Sequence, residues 1–313
     1  MTDSPDPDLT ERAGGHRREV VTGEIDLDAT LRHLALLPSD PTVSFRPGRL
    51  ERATITPAGP ATVLVRWDAA EDRVELTTWG PGGDWIADRA SGLLGLEDDV
   101  GDFDPPDRPL RDVWRRNPGR RIARTDTLWH DLAWFIVQQR VRTTDADHQW
   151  RLLVESLGTP ADGPSGLLVP PAPSAVARLH YTEFHRFGIE RRRADVLQAA
   201  ARLVDRLAET VDGPFDAADP KLATVRGIGP WTRSCLAVQT WGEADVVIVG
   251  DDGIPSVVSW FLAREATADD ARMIELLEPH RPHRYRVIQL AFASGARPPR
   301  RHHRYARNDI RRR

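Results

Sequence analysis

The chain has 313 residues, 40% of them hydrophobic and 29% charged, which suits a globular protein of two or three compact units. Its one cysteine, Cys235, excludes an internal disulfide and any four-cysteine zinc or iron–sulfur site within this chain. The lack of an apolar run of about 18 residues excludes a membrane-spanning helix. The net charge of −4 hides a split: residues 1–107 carry 10 basic and 22 acidic side chains, and the rest carry 33 and 25. An acidic front thus precedes a basic back that can meet a polyanion, although a solvated surface with an arginine-rich tail fits the same count.

In chain order, residues 1–24 are polar with little apolar periodicity and are expected to be disordered. The acidic start from Met1 to Asp8 lacks the basic and apolar parts of a secretory signal, so a cytoplasmic location is expected. Asp26 to Leu37 reads as a short helix. Thr42 to Phe45, Ala53 to Thr56, Thr62 to Trp67 and Arg73 to Trp79 read as strands, with residues 68–72 as a hairpin loop. The Gly80-Pro81-Gly82-Gly83 run stops the sheet, and a helix from about Trp85 to Leu94 completes a small α+β unit over 25–104. Pro105-Pro106-Asp107-Arg108-Pro109 marks a boundary, after which the pattern turns helical.

Leu128, Leu132, Phe135 and Ile136 recur at helical spacing, and Ala146 to Leu157 is a second amphipathic stretch. Residues 158–173 are rich in Pro and Gly and read as a loop, with Ser174 as the cap of a helix from Ala175 to Leu179. Further helices are expected over Arg191 to Thr210, Pro220 to Val225, Trp231 to Trp241, Asp269 to Leu277 and Arg284 to Ala293, before a basic tail over 296–313. The fold class is α+β, with a small N-terminal antiparallel sheet domain followed by an all-α core over 105–295.

Leu222 to Thr232 reads as helix, Gly-x-Gly turn, helix, within a motif spanning about 222–241. Gly227 and Gly229 allow positive φ and close backbone approach, and the amides opening the next helix form an anion site suited to phosphate. Twenty residues after Trp231 stands Asp251, in Gly250-Asp251-Asp252-Gly253. An isolated Asp-Asp-Gly is ordinarily a solvated turn or a helix cap. His130, His148, His180 and His185 lack metal-ligand spacing, and no metal or cofactor is expected.

Taken together, the hairpin Val225 to Thr232, the stretch Asp245 to Asp251, and Trp129 to Ala146 with Gln138-Gln139 resemble the helix–hairpin–helix DNA glycosylases of the bacterial 3-methyladenine DNA glycosylase II type. Phe184 to Ile189, Pro282 to Arg286, and the front segments Phe45 to Gly48 and Thr78 to Gly82 extend the resemblance over about residues 40–295. It implies a monomer that acts on double-stranded DNA containing alkylated bases, flips the damaged base out and hydrolyses its N-glycosidic bond. Asp251 takes the catalytic carboxylate's place. Trp231, Phe292 and Cys235 fall where that family lines the base pocket, with core packing as the alternative for each aromatic and a buried small apolar residue as the alternative for Cys235. Gly227, Ile228, Gly229 and Thr232 fall at the DNA-gripping hairpin. Gln139 and Arg140 fall at the DNA-inserting loop, where Arg140 either fills the gap left by the flipped base or makes an ordinary contact. Bifunctional relatives place a lysine near Trp231, whereas the single lysine here, Lys221, lies upstream of the hairpin, which implies a glycosylase without strand cleavage.

Three departures keep a second reading open, that of a non-catalytic module binding damaged DNA. Ile248 stands in place of proline and Cys235 in place of a tyrosine, and the acids Asp145 and Asp147 lie near the expected DNA face.

Overall fold

The computed structural model describes residues 15–35 and 37–299. It opens with strand β1 (His16–Val21), helix α1 (Leu27–Leu31) and a 3-10 turn (Arg32–Ala35), then β2 (Val43–Arg46), β3 (Arg49–Thr56), β4 (Gly59–Trp67) and β5 (Arg73–Trp79). The five strands form one antiparallel sheet in the order β1-β5-β4-β3-β2. The β-branched and apolar residues Leu50, Val63, Val65, Val74 and Leu76 build one face of it. That face packs on Leu27 and Leu31, and on Ile86 and Leu93 from helices α2 (Gly83–Asp88) and α3 (Ala90–Leu93). The helix expected over Asp26 to Leu37 is shorter than its sequence span, one α-turn running into the 3-10 turn.

β1 corrects the expectation of disorder over 1–24; residues 1–14 lie outside the described part. The strand pairs with β5 from His16↔Thr78 to Val21↔Arg73. Nearly all its side chains are exposed, and it is held by the backbone ladder and by pairs such as Arg17–Glu75 at 2.8 Å. A strand held this way has no hydrophobic alternation to betray it.

The helical part comprises α4 (Arg108–Arg115), α5 (Leu128–Gln138), α6 (Thr143–Leu157), a two-stranded ribbon of β6 (Thr159–Pro160) and β7 (Leu168–Val169), α7 (Pro173–Arg178) and α8 (Tyr181–Arg186). It continues with α9 (Arg191–Ala208), α10 (Phe215–Ala223), α11 (Pro230–Gln239), α12 (Ile254–Ala263), α13 (Asp270–Leu277) and α14 (Arg284–Ala293). Helix α7 starts two residues earlier than expected, with Ala172 as its cap. Ser174 makes no capping bond because Pro173 supplies a pre-set first helical residue. Helices α4 and α12 have no counterpart in the sequence reading. α12 follows what reads as a turn, and its buried Pro255, Val257, Val258, Ser259 and Phe261 leave no polar stripe to give a helical period.

Two cores hold the helices. Leu132, Ile136, Trp150, Leu197, Leu222 and Leu236 anchor the first, in which α5 is the central helix. Leu110, Val258, Leu277, Val287 and Leu290 anchor the second, between α4 and α12–α14. The sheet joins α5 through a buried polar seam. Arg52 of β3, with its side chain 4% exposed, donates to Asp131 of α5, fully buried, at 3.0 Å and to Thr127 at 2.9 Å. Asp131 accepts further bonds from Thr125, from Gln239 at 2.8 Å and from Thr240 at 2.8 Å. A buried charge with its lone pairs so occupied is tolerated, and it fixes α5 against both the sheet and α11.

Candidate active site

Helix α10 ends at Ala223, and the chain turns through exposed Arg226 and Gly227 into α11. Gly227 has φ +97°, and a Cβ there would sit 2.2 Å from Val196 Cγ2 of α9. Only glycine fits, because the turn lies directly on α9 and its φ is in the left-handed region. Gly229 is the cap of α11, without a side-chain capping bond, and Pro230 occupies the first turn. The positive end of α11 is therefore presented without a carboxylate or hydroxyl of its own to answer it. Ile228 and Thr232 turn inward: Ile228 joins the first core and Thr232 is buried. The side chains of these two residues are therefore directed into the protein.

Asp251 is presented by the segment that follows α11. Arg284 at the start of α14 holds this segment through Asp245, with its Nε at 2.8 Å and Nη2 at 3.0 Å from the carboxylate. Arg281 adds a bond to the same carboxylate at 2.9 Å. Gly250 takes φ +79°, a conformation that favours glycine, beside Trp231. The next residue, half-buried Asp251, divides its two oxygens. Oδ1 accepts from the amides of Gly253 (2.9 Å) and Ile254 (3.1 Å), closing the N-terminus of α12. Oδ2 accepts from the indole N–H of Trp231 at 3.2 Å. Trp231 is itself held by the edge of Phe135, with ring centroids 6.0 Å apart at 90°.

Cys235, one turn along α11 from Trp231, is buried. Burial, and then the negative charge of Asp251, push its thiol well above the usual range. Tyr285 joins this group from the start of α14. Burial, and then proximity to Cys235, push its phenol up. Tyr285 lies in the motif Pro282 to Arg286 but is not among the site residues the sequence predicts, because nothing local to the sequence says which side of α14 meets α11. Phe292, expected in the pocket or the core, is 44% exposed near the end of α14. That removes the core-packing alternative. Trp231, Cys235, Tyr285 and Asp251 are brought together, and no contact joins Phe292 to them among the described residues.

On the neighbouring edge, α5 ends at Gln138. Gln139 donates to Gly227 O at 3.0 Å and to Thr232 Oγ1 at 2.9 Å. Arg140 follows, exposed, at φ +57°, a conformation non-glycine residues seldom take. The acids expected at this face turn out differently. Asp145 pairs with Arg142 at 3.1 Å, and Asp147 is buried. Ile248 packs into the first core.

This is the fold of the helix–hairpin–helix DNA glycosylases. A 3-methyladenine DNA glycosylase from Archaeoglobus fulgidus superposes with a TM-score of 0.74 at 18% identity, covering 90% of this chain and 98% of that one. An 8-oxoguanine glycosylase/lyase from Clostridium acetobutylicum, in complex with double-stranded DNA containing cytosine opposite 8-oxoguanine, superposes with a TM-score of 0.65 at 13% identity, covering 90% and 97%. In sequence, the chain is 27% identical over 149 residues to a probable bifunctional transcriptional activator/DNA repair enzyme AlkA of Mycobacterium tuberculosis. That match takes in 47% of this chain, which spans only 30% of the length of the curated relatives it matches. No family model matches the sequence. Among the described residues no helix is long and apolar enough to cross a membrane.

Proposed function

We propose that the chain is a monofunctional DNA glycosylase that hydrolyses the N-glycosidic bond of alkylated purines flipped out of duplex DNA. The observation that carries this reading is the divided carboxylate of Asp251. One oxygen is fixed by the amides that open α12, and the other stands beside the Trp231 indole. Departure of a base leaves oxocarbenium character on the sugar. An ionised, oriented carboxylate stabilises that charge and aligns the attacking water. The Trp231 ring offers an electron-rich face to a positively charged alkylated purine.

The uncapped start of α11 and the Gly227 turn suit a backbone phosphate beside the lesion, a contact that positions DNA without reading its sequence. Exposed Arg140 suits the gap the base leaves, its guanidinium stacking on the exposed neighbours. An amine nucleophile for strand cleavage would have to come from Lys221, the only lysine, which is exposed on α10 before the hairpin. This favours a product with an intact strand and an abasic site. With Asp145 paired to Arg142 and Asp147 turned inward, one of the three departures that favoured a non-catalytic module loses its force.

The test is single-turnover base release from duplex DNA holding one alkylated purine, for wild type and Asp251→Asn. Abasic sites are scored with and without alkali. Wild type is expected to release the base without cutting the strand, and the variant to lose about 10²-fold or more in rate. Tight binding with no release across a panel of alkylated purines would overturn the glycosylase reading. Strand scission before alkali would overturn the monofunctional one.

A further inference from the structure

Three elements meet behind the exposed edge that carries Arg140 and the hairpin. The end of α5 is tied down on one side by Arg193 of α9, a buried residue that donates to Val137 O and, at 2.8 Å, to Gln149 Oε1. One turn further along α9, Val196 lies under Gly227. On the other side the tie is Gln139. A carboxamide has two N–H donors, and Gln139 Nε2 serves two acceptors of the hairpin, Gly227 O and Thr232 Oγ1. The residue expected to touch DNA thus directs its donors into the protein. Its neighbour, Arg140, is displayed in the left-handed region.

We propose that Gln139 is a positioning residue. It locks the loop that carries Arg140 to the phosphate-gripping hairpin, so that phosphate capture and displacement of the base act as one rigid unit. The inference rests on the reading of the site as a base-flipping one. Its physical basis is the entropy of ordering. A loop that drifts relative to the captured phosphate must be ordered at the moment the base leaves the stack, when unstacking is already unfavourable. Fixing the loop beforehand removes that cost from the flipping step. The clamp should therefore matter for intact duplex and not for a lesion already outside a helix.

The experiment uses the full chain with Gln139→Ala, Gln139→Glu, Arg140→Ala and the Gln139→Ala/Arg140→Ala pair. Glutamate keeps the shape and loses both donors. Flipping is read by fluorescence of 2-aminopurine placed beside a single alkylated purine, affinity by anisotropy, and folding by the melting temperature. In intact duplex, both Gln139 variants should slow flipping about tenfold, the scale of losing two hydrogen bonds, with affinity changed by less than about threefold. With the lesion in single-stranded DNA, base release should return to within about twofold of wild type, which a general structural defect would not allow. In the Arg140→Ala background, Gln139→Ala should add less than about twofold, because the clamp then has nothing to position.

Equal losses on single-stranded DNA, strictly additive losses in the pair, or a Gln139→Glu variant indistinguishable from wild type would each overturn the proposal. A wild type that binds but neither flips nor releases any base would overturn the glycosylase reading, and this inference with it. If wild type flips without releasing the base, the fluorescence comparison still decides the role of Gln139.

Discussion

Replacing Gly227 by alanine adds one methyl group at the point where the hairpin lies on α9. Two separate penalties follow from the geometry. The backbone must hold an alanine at φ +97°, which costs about 1–3 kcal/mol. The new Cβ would stand 2.2 Å from Val196 Cγ2. Val196 is buried and β-branched within α9, so it has no free rotamer to retreat into, and overpacking there costs a further ~1–3 kcal/mol. The total, about 2–6 kcal/mol, is a large part of a typical stability of about 5–15 kcal/mol.

The two penalties can be separated. Val196→Ala alone removes two methyl groups and should cost about 1–2 kcal/mol. Combined with Gly227→Ala it also removes the clash, so the pair should be about 1–3 kcal/mol more stable than the sum of the single losses. Urea unfolding of the four proteins measures this. Binding to an undamaged duplex at low salt should weaken in Gly227→Ala even where the fold survives, because the turn moves away from the phosphate it is proposed to hold. A Gly227→Ala loss below about 1 kcal/mol, or strict additivity with Val196→Ala, would refute the close-packing account.

The remaining expectations rest on buried groups. Arg52→Ala strands the Asp131 carboxylate in the seam with hydrogen-bond donors but no cation, and should cost about 3–5 kcal/mol by urea unfolding; a loss below about 1 kcal/mol would mean the seam carries no load. Cys235, its thiol pushed up by burial and by Asp251, should resist iodoacetamide at pH 8 in the native protein and react readily once unfolded; fast native labelling would contradict its placement. Asp126 has its carboxyl raised by burial, against the pull of Arg124, from 3.8 to about 6. The folded state therefore holds this proton more tightly than the unfolded one. The stability it contributes is full below pH 3.8 and is lost as pH rises through about 6, a fall of up to about 3 kcal/mol. Asp126→Asn should flatten that slope in urea titrations across this window, and an unchanged slope would refute the assignment.

Residues that act through local pattern were legible, and those that act through distant partners were not. Thr62 to Trp67 and Arg73 to Trp79 read as strands because their β-branched and apolar residues pack on a half-buried surface, and both lie within strands of the fold. β1 has the same backbone role with no buried face, so composition alone hides it. The Arg52–Asp131 pair spans 79 positions. Nothing in either neighbourhood says that a strand arginine and a helix aspartate will be buried together, since that choice is made by the packing of the sheet on α5. Tyr285 was hidden for the same reason: its place in the site depends on how α14 meets α11. Phe292, an apolar residue on an apolar helix, reads as readily as a core residue, yet it is exposed.

Asp251 shows why a local reading and a long-range one can both hold for a single side chain. Read alone, Asp251-Asp252-Gly253 is a helix-capping turn, and Asp251 Oδ1 does cap α12. Read with Trp231 twenty residues earlier, it is the carboxylate proposed for catalysis, and Oδ2 accepts from the indole N–H. The two roles support each other. A carboxylate that is to stabilise a transient cation must be oriented before the cation forms, because reorientation during the reaction would add to the barrier. Two hydrogen bonds from amides at a helix N-terminus supply that orientation. Asp251→Asn keeps an oxygen that can cap α12 while giving up the charge, so it should fold like wild type and lose base release. Asp251→Ala should lose both release and about 1 kcal/mol of stability. If the two variants were equally unstable, the cap would depend on charge rather than on shape; if both kept base release, the carboxylate would have no catalytic role.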